Sequence, residues 1–199
     1  MSKAWTLAGI ALLVLTTAPV YADEFAVGVG VAYVKGLDNV FDRYRTNAAA
    51  SGQTVDLDKP IPIGLSFDVH YEQNTGLRIG GGVGPFLKLR GAKSHLEVPV
   101  NVTVGYTIQR SSNTAPYVKV GVVRHIVSGD YYVSSSPGLL AGAGVEFKRS
   151  TSPRYAIEAS IDRSQIELQV VCGPASSGCA SGSEKIQSYD AVVSLFVKF

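Results

Sequence analysis

Apolar and non-apolar residues alternate with a period of two through most of this chain. Phe25, Val27, Val29, Val31 and Tyr33 alternate with the small residues Ala26, Gly28, Gly30 and Ala32. Ile61, Ile63, Leu65, Phe67, Val69 and Tyr71 alternate with Gly64, Ser66, Asp68, His70 and Glu72. The same rhythm runs through Leu96–Tyr106, Leu139–Phe147, Tyr155–Ile161 and Tyr189–Phe199. Strict alternation of this kind predicts β-strands with one apolar face. Two further strands are less regular. One covers Leu77 to Lys88, with a glycine cluster at Gly80–Gly82. The other covers Tyr117 to Val127, where Val122-Val123 blurs the register and suggests a bulge. The total is eight strands of about 10–14 residues, long enough for tilted spans of a bilayer.

The connections alternate in length. Tight polar turns are expected at Gln73–Gly76, Arg110–Ala115 and Arg149–Pro153, with Arg90–Ser94 also short. Long loops are expected at Gly36–Pro60, Arg124–Pro137 and Ser164–Gln187. The fold class read from this pattern is all-β: an eight-stranded antiparallel up-and-down transmembrane β-barrel with its tight turns on the periplasmic side.

A soluble eight-stranded barrel would put the apolar face inside. Three features favour the reverse. Rings cluster at the expected periplasmic strand ends: Phe25, Tyr71, Tyr106, Tyr117, Phe147, Tyr155 and Phe199. Such girdles mark the membrane–water boundary. The other face mixes glycine and alanine with isolated charges, which suits a narrow interior filled by side chains. There Asp68, His70, Glu97, Glu146, Glu158, Asp162 and Asp190 are expected to meet Arg78, Lys88, Lys119, Lys148 and Lys198. Charges removed from water need partners, and both signs are present in similar number. The third feature is the terminal strand, Tyr189 to Phe199, which alternates and ends on an aromatic residue.

The chain begins with Met1-Ser2-Lys3, an apolar run at Ala8–Leu15 and small residues at Val20-Tyr21-Ala22. This is the pattern of a secretory signal peptide over residues 1–22, leaving a barrel domain at 23–199. Cys172 and Cys179 fall in the exported part, where an even count reads as a disulfide. Net charge is +2, and no basic stripe suggests a nucleic-acid partner.

With the leader, the strand count and the Phe199 ending, the chain resembles the small Gram-negative outer-membrane barrels, the OmpA/OmpX-like and opacity-type proteins. The resemblance implies location in the outer membrane among lipid and lipopolysaccharide. It also implies recognition of the Phe199 strand by the barrel-assembly machinery.

Chemistry is sparse. Gly80–Gly84 lacks the Gly-Lys-Ser/Thr ending of a phosphate loop, so it reads as close packing in the wall. Asn101-Val102-Thr103 matches a glycosylation acceptor, but it sits in mid-strand. His70 has no second ligand spaced for a metal, so no metal and no cofactor are expected. His125 and Ser128 resemble part of the serine–histidine chemistry of lipid A deacylases. A spacing of three puts them on opposite faces of a strand, and the His-x-Ser-Asn motif of those enzymes is absent. The loops are the better place for function. Phe41, Arg43, Tyr44 and Arg45 in the first, with Tyr131 and Tyr132 in the third, are candidate contacts to a surface ligand. The expected function is a non-enzymatic barrel presenting surface loops for envelope integrity, adhesion or host contact. A narrow channel or small apolar solute path is the alternative, and a lipid A-modifying enzyme the second.

Overall fold

The computed structural model describes residues 24–35, 38–52, 63–85, 87–89, 95–108, 112–129, 131–149, 152–172 and 182–199. The expected signal peptide, Cys179, Arg90 and the whole Gln53–Pro60 stretch lie outside the described residues. Nine strand segments follow the chain: β1 Glu24–Lys35, β2 Ile63–Glu72, β3 Leu77–Val83, β4 Leu87–Leu89, β5 His95–Thr107, β6 Thr114–Ser128, β7 Tyr132–Phe147, β8 Arg154–Val170 and β9 Gly182–Lys198. One helix, α1 Asp38–Ala50, separates β1 from β2.

All pairings are antiparallel. β1 pairs with β2, β2 with β3, β3 with β5, and β5 to β9 pair in sequence. β9 returns to β1 and closes the ring. Reciprocal bonds between Val27 and Phe199, at 3.0 and 2.9 Å, finish that seam at the rim where β1 starts and β9 ends. The architecture is the expected eight-stranded up-and-down barrel.

One wall strand is broken where a continuous Leu77–Lys88 strand is expected. β3 stops at Val83, and β4 resumes only beside β5. Gly84 takes the left-handed conformation at φ 103°, its N–H donates to Pro99 O at 2.8 Å, and Pro85 has no N–H for a ladder. β6 is continuous against β5 through Val122 and Val123, so the suspected bulge is not there. The register shifts lie in β7 instead, between Tyr132 and Ser134 and between Ser136 and Leu139, where Pro137-Gly138 interrupts the pairing with β8.

The apolar faces point outward. Phe25, Val31, Leu65, Val102, Val120, Ile157 and Leu195 are all exposed, Val120 at 59%. Only a lipid phase makes a continuous belt of this kind favourable. The inward positions are small or charged. β1 shows why the small ones are needed: a Cβ on Gly30 would stand 2.6 Å from the inward ring of Phe196.

Two sequence-based placements are corrected. Tyr117 is 2% exposed and points inward, so six rings, not seven, lie on the outside near that rim. It shares a face with Lys119, and Gly144 makes room for it: a Cβ there would stand 2.5 Å from the Tyr117 hydroxyl. Lys148 is exposed rather than interior. Its φ of 57° is a turn conformation that breaks the alternation after Glu146, and its ammonium lies 5.4 Å from the Tyr155 ring.

The barrel is uneven in height. β8 and β9 have 17 residues each, more than the ~9–11 that span a bilayer, whereas β2 has 10 and β3 seven. The tall side carries α1, which occupies part of the expected first loop. Val40, Phe41, Tyr44 and Ala48 lie at helical spacing and are all buried. The helix ends where Gly52 turns left-handed at φ 70°, with Gly52 N–H donating to Ala49 O. Thirteen residues are marginal as an isolated helix, so docking on the barrel supplies the stability.

A charge on the outer face tests this orientation. Val120→Arg is expected to destabilise the barrel by about 2–4 kcal/mol in reversible folding titrations with lipid vesicles.

Candidate functional site

The chemistry of this protein is collected inside the barrel, and it is layered. The layer nearest the rim where β1 starts and β9 ends is a network of opposite charges. Glu72 is ion-paired with Arg78 Nε at 3.0 Å, and accepts from Arg149 at 2.7 Å and the Thr107 hydroxyl at 2.8 Å. Glu146 accepts from Arg78 and from Lys198 at 3.0 Å, with Arg149 at 3.6 Å. Glu24 closes the rim against Arg149 and Arg154. Above them Glu158 accepts from Tyr117 OH at 2.9 Å and pairs with Lys119 at 2.8 Å. The Arg78 guanidinium also lies 4.3 Å from the Tyr117 ring centroid, a cation–π contact away from water.

His70 belongs to this layer. Its Nδ1 faces Asp68 at 3.1 Å and its Nε2 faces an Arg78 nitrogen at 2.6 Å. Arginine can only donate, so Nε2 is the acceptor and the Nδ1 proton goes to Asp68. The ring is a packed, satisfied element of the network.

The middle layer has a different composition. His125 is 1% exposed, with Nδ1 against Glu97 and Nε2 against Asp162 at 3.1 Å. Asp190 lies 3.9 Å from the same Nε2 and accepts from Ser188 at 3.2 Å. Asp162 and Asp190 are directly opposite one another on β8 and β9. Ser164 and Ser188 form the next inward pair above them.

The outermost layer is apolar. Ile166 and Leu168 of β8, Val34 of β1, and Val40 and Phe41 of α1 form one buried cluster. Tyr44, Ala48 and Tyr131 form a second, with the Tyr44 and Tyr131 rings edge to face at 4.9 Å. Polar contacts fix the helix. The Asn47 amide donates to Gln169 O and accepts from Val171 N–H at 3.2 Å, Ser51 and Tyr131 share a bond at 2.9 Å, and Arg43 pairs with Glu184.

Of the twelve residues expected to meet in the interior, ten face inward: Asp68, His70, Arg78, Glu97, Lys119, Glu146, Glu158, Asp162, Asp190 and Lys198. The side chain of Lys88 lies outside the described residues. The candidate loop contacts divide. Phe41, Tyr44 and Tyr131 are buried in the cap and Tyr132 packs against it, so a surface ligand does not meet the first three. Their burial follows from the helix, which turns its rings onto the barrel. Arg43 is half-buried, and Arg45 is exposed beside Asp42 at 2.9 Å. Cys172 is disulfide-bonded. Sequence reasoning missed Glu24, Arg149 and Arg154, which sit at strand ends where alternation gives no direction. It placed His125 at a loop edge, although His125 shares its strand face with Tyr117 and Lys119.

On the raised strands, outside the spanning region, Ser134 and Ser183 donate to Glu167 and hold its carboxyl below the usual glutamate range.

Solved structures that share this fold include two outer-membrane proteins. The outer membrane protein OprG from Pseudomonas aeruginosa matches with a TM-score of 0.53 and 11% sequence identity, over 88% of this chain and 95% of that chain. The outer membrane protein AlkL, determined by solid-state NMR in DMPC lipid bilayers, matches with a TM-score of 0.50 and 14% identity, over 92% of each chain. The fold is therefore that of the small outer-membrane β-barrels. No family model matches the chain, and no curated protein does.

The charge layer generates a stability prediction. Removing one partner of a buried ion network leaves the others uncompensated, at a cost of about 3–5 kcal/mol. Glu146→Gln is expected to destabilise by that amount in denaturant titrations of the folded barrel. Glu167→Gln, whose carboxylate lies at the surface beside Ser134 and Ser183, is expected to leave the denaturant midpoint close to that of the parent.

Proposed function

We propose that this chain is a non-enzymatic, exported protein of the Gram-negative outer membrane, whose plugged barrel holds a fixed contact surface outside the cell. The observation that carries the reading is the docking of α1 on the raised ends of β8 and β9. Its buried face is held by Val40, Phe41, Tyr44 and Asn47. The opposite face, with Asn39, Asp42, Arg45 and Thr46, stands exposed in one orientation. A surface ordered before it meets a partner loses less entropy on binding. The ion network and the apolar cap fill the lumen that a channel would need, which favours contact over conduction. Against an enzyme, both His125 nitrogens face carboxylates, and Ser128 is exposed on the other side of β6. In this reading the exposed Phe199 and its terminal strand are what the barrel-assembly machinery recognises, and the apolar belt contacts lipid and lipopolysaccharide.

A second reading, passage of a small apolar solute, draws on one observation. An interior cavity is lined by Asp68, Lys119 and Ser160 and also by wall residues Phe67, Gly84, Pro85 and Pro99. It thus runs from the interior to the broken strand.

Intact cells displaying the protein are the test. Binding to host-cell or matrix surfaces is expected, with loss of most of it in an Asp42→Ala/Arg45→Ala/Thr46→Ala variant that still folds. Absence of binding by a well-displayed barrel, or full binding by the variant, would sink the contact reading. Conductance of the refolded protein in planar bilayers is expected to stay at baseline. Uptake of an apolar solute that falls when Gly84 is replaced would favour the second reading instead.

A further inference from the structure

The middle layer contains a group that neither a contact platform nor a solute path uses. Asp162 and Asp190 face each other across β8 and β9, an arrangement that places like charges directly opposite one another. Among the described residues, the ion pairs of both lead to one group, the His125 ring. Within the lower network, by contrast, acids are compensated by arginine and lysine. There His70, Glu72 and Glu146 also bring ligand atoms close together, but Arg78, Arg149 and Lys198 already stand against them.

We propose that His125, Asp162 and Asp190 form a site for one divalent transition-metal cation. Glu97 accepts from His125 Nδ1, and the Nε2–H points at the two aspartates; once that proton leaves, the Nε2 lone pair is directed at both. A carboxylate behind the imidazole is the usual arrangement of a metal-bound histidine and fixes the ring's tautomer. The spacing fits a small ion. A tetrahedral cation with bonds of ~2.0–2.1 Å holds its ligand atoms roughly 3.3 Å apart. Asp162 Oδ1 lies 3.1 Å and Asp190 Oδ2 3.9 Å from Nε2.

A separate observation points to the same place. Ser164, next inward from Asp162 on β8, is 2% exposed, and its hydroxyl has no hydrogen-bond partner among the described residues. A cation with a bound water would give it one. The interior cavity reaches Asp162, which supplies a way in.

One imidazole nitrogen and two carboxylate oxygens suit Zn²⁺, Co²⁺ or Mn²⁺ better than Ca²⁺, which takes six to eight oxygens. Binding exchanges a proton for the ion. The Nε2–H bond breaks, a nitrogen–metal bond forms, and the proton leaves to solvent.

The test uses the full chain folded in detergent, stripped with a chelator and titrated with Co²⁺ by visible absorption and calorimetry. One equivalent is expected to bind, with release of about one proton seen as a buffer-dependent heat. Asp190→Asn, which keeps the side chain's volume, is expected to weaken binding at least ~10-fold, and Glu97→Gln by ~10–100-fold. The surface variant Glu167→Gln is expected to bind like the parent. Heat-modified gel mobility identifies the folded barrel in each case. No stoichiometric Co²⁺ uptake by the parent, or equal uptake by parent and Asp190→Asn, overturns the proposal. His125→Gln, if it folds, is expected to abolish the absorption band.

Discussion

A charged side chain on the lipid face of a barrel costs several kcal/mol, and inside an eight-stranded barrel there is little water to solvate it. The charges of this protein therefore have one place to go and one way to exist there, paired with one another. Glu72 and Glu146 are the joints of that pairing, each accepting from arginine or lysine on other strands. Because the partners come from β2, β3, β7 and β9, the network ties the ring across its interior. Such a network is not a large source of stability by itself. Its effect is specificity: a strand shifted by one residue would turn its charges into lipid and leave their partners alone.

The layering follows from strand height. On the short side of the barrel, charges and small residues fill the interior from the rim upward. On the tall side β8 and β9 continue beyond the spanning length, and their inward positions change from Asp162 and Asp190 to Ser164 and Ser188, then to Ile166 and Ile186. An apolar surface there needs a cover, and α1 supplies it with Val40 and Phe41. The helix thus connects the inside of the barrel to its outer surface. The same docking that buries Phe41 and Tyr44 fixes Asp42 and Arg45 in view.

Alternation made most of the wall legible, because period two is the geometry of a strand and the belt admits no charge. It also gave the direction of ten interior side chains from the sequence alone. It failed where geometry leaves the strand. Lys148 follows Glu146 by two residues, yet a positive φ turns it out. Tyr117 was assigned by its position at a strand end, whereas its parity with Lys119 was the better guide. The helix escaped because Asp, Arg and Asn separate its apolar residues and make the stretch look like a polar loop. The 40, 41, 44, 48 spacing was the available signal. The group around His125 had no linear signature at all. Glu97, His125, Asp162 and Asp190 lie on four strands, and only the register brings them together.

The inside-out arrangement can be measured directly by asking which side chains touch acyl chains. Trp5 is the chain's one tryptophan, so a Trp5→Phe background allows single tryptophans to be introduced. Val118→Trp, Val120→Trp and Val122→Trp on β6 report the outer face, and Ser66→Trp and Ser160→Trp report the interior cavity. In vesicles of lipids brominated along the chain, the first three are predicted to be strongly quenched and the last two to be unaffected. Equal quenching of both sets, or quenching of the interior pair alone, would contradict a barrel that faces lipid with its apolar side and keeps its charges within.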